Sequence, residues 1–232
     1  MNINHGEVTA VIGQKNSGKS VLSEGLLTEM GRFVCIDPNS EHGPPGAVAV
    51  ESYDDVWRRW MNGETRQVVR DRRGALNEER MPEYVRAVGQ LQDAYLFLDE
   101  AHNYMNSGKC PDCIRKLAKY AVSHQNIWFV FGVHLASDIP SELWSQIDNF
   151  VIFAYGDKWD NKMQKASIPC KKVVQDGYRR SKAEELSEKH GIPESVLRTG
   201  LDPNSYQFLA YKDELGNSPA VRGPVPIPDH LS

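Results

Sequence analysis

Gly13, Gln14, Lys15, Asn16, Ser17, Gly18, Lys19 and Ser20 match the pattern G-x-x-x-x-G-K-[ST] in full. Each residue type has a task in holding a polyphosphate. The glycines let the backbone wrap close to phosphate oxygens, and the loop amides present partial positive charge to them. Lys19 has the reach to touch β- and γ-phosphates, and the Ser20 hydroxyl suits Mg²⁺. Val21 continues this segment into a helix. About eighty residues on, Asp99 and Glu100 close the apolar run Tyr95-Leu96-Phe97-Leu98. A carboxylate at such a strand end, expected beside the strand that enters the phosphate loop, can hold Mg²⁺ through water. The next glutamate can polarise an attacking water, a division of labour that suits phosphoryl transfer to water. A glutamate there favours hydrolysis over a small-molecule kinase, which must exclude water.

The surrounding pattern supplies elements to position these groups. Short apolar runs at 7–12, 32–37, 67–69, 94–98, 127–133 and 150–153 read as strands. Between them, 21–30, 53–61 with Ser52 as cap, 82–92, 114–122 and 141–146 read as helices. Continuous apolar strands alternating with helices imply a mostly parallel sheet covered on both faces, an α/β fold. The pattern weakens after about residue 155. Two short helices are expected over 181–199, a strand over 206–211, and an extended tail carrying Pro219, Pro224, Pro226 and Pro228. The 232 residues, with hydrophobic residues 40%, charged residues 25% and net charge −4, are ordinary for a globular protein. Any nucleic-acid contact must therefore be a local basic patch. No apolar run reaches membrane-spanning length, no secretory signal is visible, and four cysteines are too few for a disulfide scaffold. An intracellular, reduced protein is the expectation.

Taken together, Gly13 to Ser20, Phe33-Val34-Cys35-Ile36-Asp37-Pro38 and Leu96-Phe97-Leu98-Asp99-Glu100-Ala101-His102 resemble the FtsK–HerA superfamily. So does Leu135-Ala136-Ser137-Asp138-Ile139-Pro140 ahead of a short helix and a last strand. The resemblance covers roughly residues 6–155. It is greatest to the genome-packaging ATPases of tailless, membrane-containing icosahedral viruses, with the phage assembly ATPases resembling zonula occludens toxin next. It implies a RecA-like additional-strand P-loop NTPase with a mostly parallel central sheet flanked by helices. In that family a strand stands between the phosphate-loop strand and the strand ending in Asp99, and the candidates at 32–37 and 67–70 lie in the intervening stretch. Residues 1–156 would be the ATPase core. Residues 157–232 would be a C-terminal extension with a basic loop, short helices, one added strand and a proline-rich tail.

The resemblance further implies ATP with Mg²⁺ as cofactors and a homo-oligomeric ring, hexamer or pentamer, that moves double-stranded DNA into a preformed capsid. The implied partners are a capsid vertex or portal protein and a viral membrane-associated protein. The implied location is host cytoplasm or the packaging vertex. Family members commonly carry a Thr-Gln sensor after the strand following Asp99; here that position is His134, which can hydrogen-bond the γ-phosphate or the water. Ring ATPases of this type take an arginine from the neighbouring subunit. Arg70, Arg72, Arg73 and Arg115 are candidates, with surface salt bridges as the alternative. Other DNA-transfer ATPases, a nucleotide or metabolite kinase, and a nucleotide-gated scaffold remain alternatives.

Three further features stay open at the level of sequence. Lys162, Lys165, Lys171, Lys172, Arg179 and Arg180 form a basic stretch that either tracks a DNA backbone or is a solvated loop. Trp57-Arg58-Arg59-Trp60 reads as an amphipathic helix with its aromatics inward and arginines outward. Cys110 and Cys113 invite a zinc reading but lack a second pair, so two ordinary thiols are expected.

Overall fold

A computed structural model describes residues 6–15, 17–39, 41–70, 80–106, 108–153, 188, 208–212 and 220–222. Its centre is a nine-stranded sheet. In chain order the strands are β1 (Val8–Ile12), β2 (Phe33–Ile36), β3 (Val48–Val50), β4 (Arg66–Val69), β5 (Tyr95–Leu98), β6 (Trp128–Val133), β7 (Asn149–Phe153), β8 (Phe208–Lys212) and β9 (Ala220–Arg222). Their spatial order is β3-β4-β2-β5-β6-β1-β7-β8-β9. The first seven in that order run parallel, and β8 and β9 add antiparallel pairs at one edge.

β1, β2, β6 and β7 are buried at every residue, as expected of parallel strands covered on both faces. Alternate residues divide between two cores. Val8, Ala10, Ile12, Val34 and Ile36 face one, and Val11, Phe33 and Cys35 face the other. Helix α1 (Lys19–Glu29) covers the second core with Leu27. Against the first core pack α2 (Tyr53–Met61), α3 (Met81–Val88), α4 (Asp112–Lys116) and α6 (Ser141–Trp144). α4 continues through a π turn, Leu117–Ala121, into α5 (Val122–Gln125).

The parallel sheet and its covering helices are those expected. Several local expectations need correction. The strand inserted between β1 and β5 is β6, which follows Asp99 in the chain. The stretches at 32–37 and 67–70 instead form β2 and β4, on the far side of β5. Asp99 therefore does not end a strand beside β1; β6 pairs with both. β3 was not expected, because three residues between a proline-rich turn and a helix give too short a signal. α3 stops at Gly89 rather than at 92.

α2 has the expected Ser52 cap, with the Ser52 hydroxyl accepting from the Asp55 amide at 3.3 Å. Its aromatics do not both point inward. Trp60 is 8% exposed and Trp57 45%. Val56 and Trp60, four apart, share the buried face, and Trp57 lies about 100° around the helix from Val56. The two helices expected over 181–199 lie outside the described residues, apart from Glu188. The tail expected to be extended contributes β9.

Candidate active site

Five of the parallel strands deliver polar groups to the same edge of the sheet. Gly13 follows β1, Asp37 follows β2, Arg70 follows β4, Asp99 follows β5 and His134 follows β6. Carboxyl ends of parallel strands are where α/β sheets bind ligands.

Gly13 donates its amide to the Val133 carbonyl at 3.1 Å. A Cβ at Gly13 would lie 2.6 Å from Ser17 Oγ and 2.8 Å from Phe153 Cβ, so the loop passes too close for any side chain. Gly18, at φ 101°, caps α1 in a left-handed conformation that glycine adopts without strain. No side chain caps this end, so the first amides of α1 remain available to an anion. Lys19 is only 6% exposed. Burial pulls its ammonium below the usual value, against the opposing charges of Glu100, Asp99 and Glu41. Ser20 Oγ sits 3.4 Å from Glu41 Oε2.

Asp99 is buried at the end of β5. Its Oδ1 accepts the Glu100 amide at 2.9 Å, and its Oδ2 lies 3.0 Å from His42 Nε2. Gly132 of β6 makes room for it: a Cβ there would stand 3.1 Å from Asp99 Oδ1. Burial pushes the Asp99 carboxyl up. The hydrogen bond and charge of His42, the Glu100 amide and Lys19 outweigh this and hold it below its usual value.

His42, Glu24 and Asp37 were not anticipated from sequence. The His42 ring is buried with Nδ1 3.1 Å from Glu24 Oε2 and Nε2 3.0 Å from Asp99 Oδ2. A carboxylate faces each nitrogen, so both donate and the ring is an imidazolium. Burial opposes that charge, but Asp99 and Glu24 prevail and raise the pKa to about 10. Asp37 accepts the amides of Glu41 and His42 at 3.1 and 2.9 Å, and Arg70 donates to the His42 carbonyl. The available signal was Glu24, an acid on the same buried side of α1 as Ser23 and Leu27.

Glu100 takes a left-handed backbone, φ 47°, unusual for a residue with a side chain. His134 Nε2 lies 3.0 Å from Glu100 Oε2, and His102 Nδ1 lies 3.2 Å from the same oxygen. Burial, and then the neighbouring His134, pull the His102 pKa down.

The phosphate loop, Glu100 and the two histidines border a cavity of about 530 Å³. Gln14, Lys15, Gly18, Lys19, Ser20 and Val21 form one wall, and Glu100, His102 and His134 another. The donor set fits ATP with Mg²⁺. The volume lies within the usual range for small-molecule sites, and Ser20 and an ionised Asp99 are hard oxygen ligands.

Other expected residues lie elsewhere. Arg115 is exposed on α4, paired with Asp112, and does not line the cavity. Cys113 packs into the first core, and burial pushes the Cys110 thiol up to about 11. Asn16, Arg72, Arg73, Lys162, Lys165, Lys171, Lys172, Arg179 and Arg180 lie outside the described residues.

No protein-family model matches the chain, and no curated protein matches it. Solved structures do. The genome packaging NTPase B204 from Sulfolobus turreted icosahedral virus 2, in complex with ATP-gammaS, aligns at TM-score 0.63 and 17% identity, covering 97% of this chain and 100% of that one. B204, the DNA-packaging ATPase from Sulfolobus turreted icosahedral virus, aligns at TM-score 0.57 and 18% identity over 97% and 100%. The cytoplasmic domain of the Thermomonospora curvata type VII secretion ATPase EccC aligns at TM-score 0.52 and 10% identity, over 95% of this chain and 24% of that one. The chain has the P-loop NTPase fold that these packaging and secretion ATPases carry.

Proposed function

We propose that this chain is an ATP-hydrolysing translocase that packages viral double-stranded DNA into a preformed capsid. The observation that carries the hydrolase part is the meeting of Lys19, Ser20 and Glu100 around one cavity of suitable size, with the Asp99 charge acting on Lys19 from behind it. The packaging part is supported by the likeness to two DNA- or genome-packaging NTPases along nearly the full length of both chains.

In this reading the amides of residues 13–19 and the Lys19 ammonium hold the β- and γ-phosphates. Ser20 and Asp99 hold Mg²⁺, which when bound neutralises charge on the phosphate oxygens. His42 keeps Asp99 ionised and fixed in direction. Glu100 takes a proton from the attacking water, while His134 at 3.0 Å orients its carboxylate. Placing Glu100 in a strained backbone conformation is consistent with a functional constraint.

Residues 1–156 serve as motor core and 157–232 as extension. Copies of the chain form a ring in which Arg72, Arg73 or Arg115 reaches a neighbour's phosphates. Lys162, Lys165, Lys171, Lys172, Arg179 and Arg180 touch the DNA backbone without reading sequence. The motor works in host cytoplasm or at the packaging vertex, docked on a capsid or portal protein and near a viral membrane-associated protein.

The test is steady-state phosphate release from ATP with and without long double-stranded DNA, with Lys19→Ala as the blank. Release that rises with DNA supports the translocase. Release that ignores DNA of any length refutes a free-standing translocase, and no release above the blank refutes the hydrolase.

A further inference from the structure

We propose that Glu100, His102 and His134 form a transition-metal site on the cavity wall, suited to Zn²⁺, whose occupancy stops hydrolysis. The binding half stands on geometry alone; the inhibitory half rests on the proposed role of Glu100.

Two neighbouring strand ends bring the three ligands together. Glu100 and His102 come from the turn after β5, and His134 follows the neighbouring strand β6. One ligand atom from each residue lies within 4.8 Å of the others. His102 Nδ1 and His134 Nε2 approach the same oxygen, Glu100 Oε2, at 3.2 and 3.0 Å. Metal bonds of about 2.0–2.2 Å at tetrahedral angles separate ligand atoms by about 3.3–3.5 Å, so small side-chain adjustments suffice.

The direction of His102 is a second observation. Its Nδ1 is buried and makes no hydrogen bond, although Glu100 Oε2 is close. The nitrogen is near the oxygen without being aimed at it as a donor would be. The two rings lie side by side, centroids 4.2 Å apart and 33° from parallel. His134 Nε2 hydrogen-bonds the other carboxylate oxygen, Glu100 Oε1, at 3.3 Å, so the two imidazole nitrogens and the carboxylate surround a common point.

The chemistry selects the ion. Two imidazoles and a carboxylate suit Zn²⁺, whereas Mg²⁺ prefers oxygen donors and keeps its waters. Three protein ligands leave a fourth position open. All three residues border the cavity, so water or a phosphate oxygen can fill it. An ion bound there takes the Glu100 oxygen as a ligand, so the carboxylate no longer accepts a proton from water.

The experiment uses the full chain, free of nucleotide. Co²⁺ serves as a spectroscopic stand-in, and Zn²⁺ uptake is read by competition with a chromogenic chelator. The expected result is one equivalent of N/O-ligated Co²⁺ and Zn²⁺ binding weakened about tenfold or more by His102→Ala or His134→Ala. Circular dichroism confirms that each variant is folded. A thiolate charge-transfer band, or uptake lost in Cys110→Ser/Cys113→Ser and kept in the histidine variants, overturns the proposal. So does the absence of uptake. Phosphate release in excess Mg²⁺ is then measured across a Zn²⁺ titration, each variant against its own Zn²⁺-free rate. Inhibition reversed by a zinc-selective chelator, with the midpoint shifted about tenfold upward in His102→Ala, is expected. Binding without inhibition overturns the inhibitory half. Zn²⁺ uptake in a chain that hydrolyses no ATP sustains the metal site and refutes the hydrolase reading.

Discussion

Replacing His42 by asparagine removes the cation between two buried carboxylates. In the folded chain its nitrogens lie 3.1 Å from Glu24 and 3.0 Å from Asp99, and its side chain is 1% exposed. Removing one partner of a buried ionic group typically costs about 3–5 kcal/mol, because the remaining charge is left without compensation. Linkage gives the same scale. A rise in pKa from 6.5 to about 10 corresponds to on the order of 5 kcal/mol. At about 2–4 °C per kcal/mol for a chain of this size, His42→Asn should melt about 6–20 °C lower at neutral pH. The sign with pH follows from the folded-state value lying above the unfolded one. The stabilisation is complete below about 6.5 and disappears as pH rises through about 10. The gap between wild type and His42→Asn should therefore shrink steadily from pH 7 to pH 10. The assay is thermal unfolding by circular dichroism at pH 7, 8.5 and 10, without nucleotide or Mg²⁺. A loss below about 1 kcal/mol at pH 7, or a gap that stays constant to pH 10, refutes the assignment of a buried imidazolium.

Glu100→Gln should bind a fluorescent ATP analogue normally and release phosphate about 10²–10⁴-fold more slowly, read in a single-turnover assay. Gly13→Ala forces a methyl group against Ser17 and Phe153. It should cost about 1–3 kcal/mol in thermal unfolding and weaken nucleotide binding in the same fluorescence titration. Trp60→Ala should cost about 3–5 kcal/mol, while Trp57→Ala on the exposed side should stay within about 0.5 kcal/mol; chemical denaturation of the pair checks which face of α2 is buried. Replacing Lys171 and Lys172 by alanine should flatten the salt dependence of DNA binding by about one in slope per lysine, measured by fluorescence anisotropy.

The phosphate loop and the Asp99-Glu100 pair were legible because their chemistry is local. A tight turn, a helix start and a strand end each need particular residues at fixed offsets, and those offsets survive in a linear string. The Glu24–His42–Asp99 group was not legible, because its members lie on a helix, a loop and a strand end that meet only once β2 is laid beside β5. Strand order is set by packing between distant segments. The run at 127–133 therefore revealed a buried strand but not that it would separate β1 from β5. In α2 the reason is simpler: two tryptophans three apart read in the sequence as one face, but Val56 and Trp60 at a spacing of four define the buried one.

Departures from local preference nevertheless pointed to the site. Gly132 interrupts a strand otherwise made of buried apolar residues, and Asp99 approaches the space its side chain would fill. Glu24 is an acid on the covered side of a helix, and it holds the histidine that holds Asp99. Glu100 sits in a conformation that favours glycine, and its carboxylate meets two histidines at the cavity. Each choice is unfavourable for its own element. Each becomes intelligible only as a contact made at the carboxyl edge of the sheet. Sequences tolerate such conflicts where function requires them. The residues that fit their elements worst are therefore the ones from which a site like this can be sought before its strand order is known.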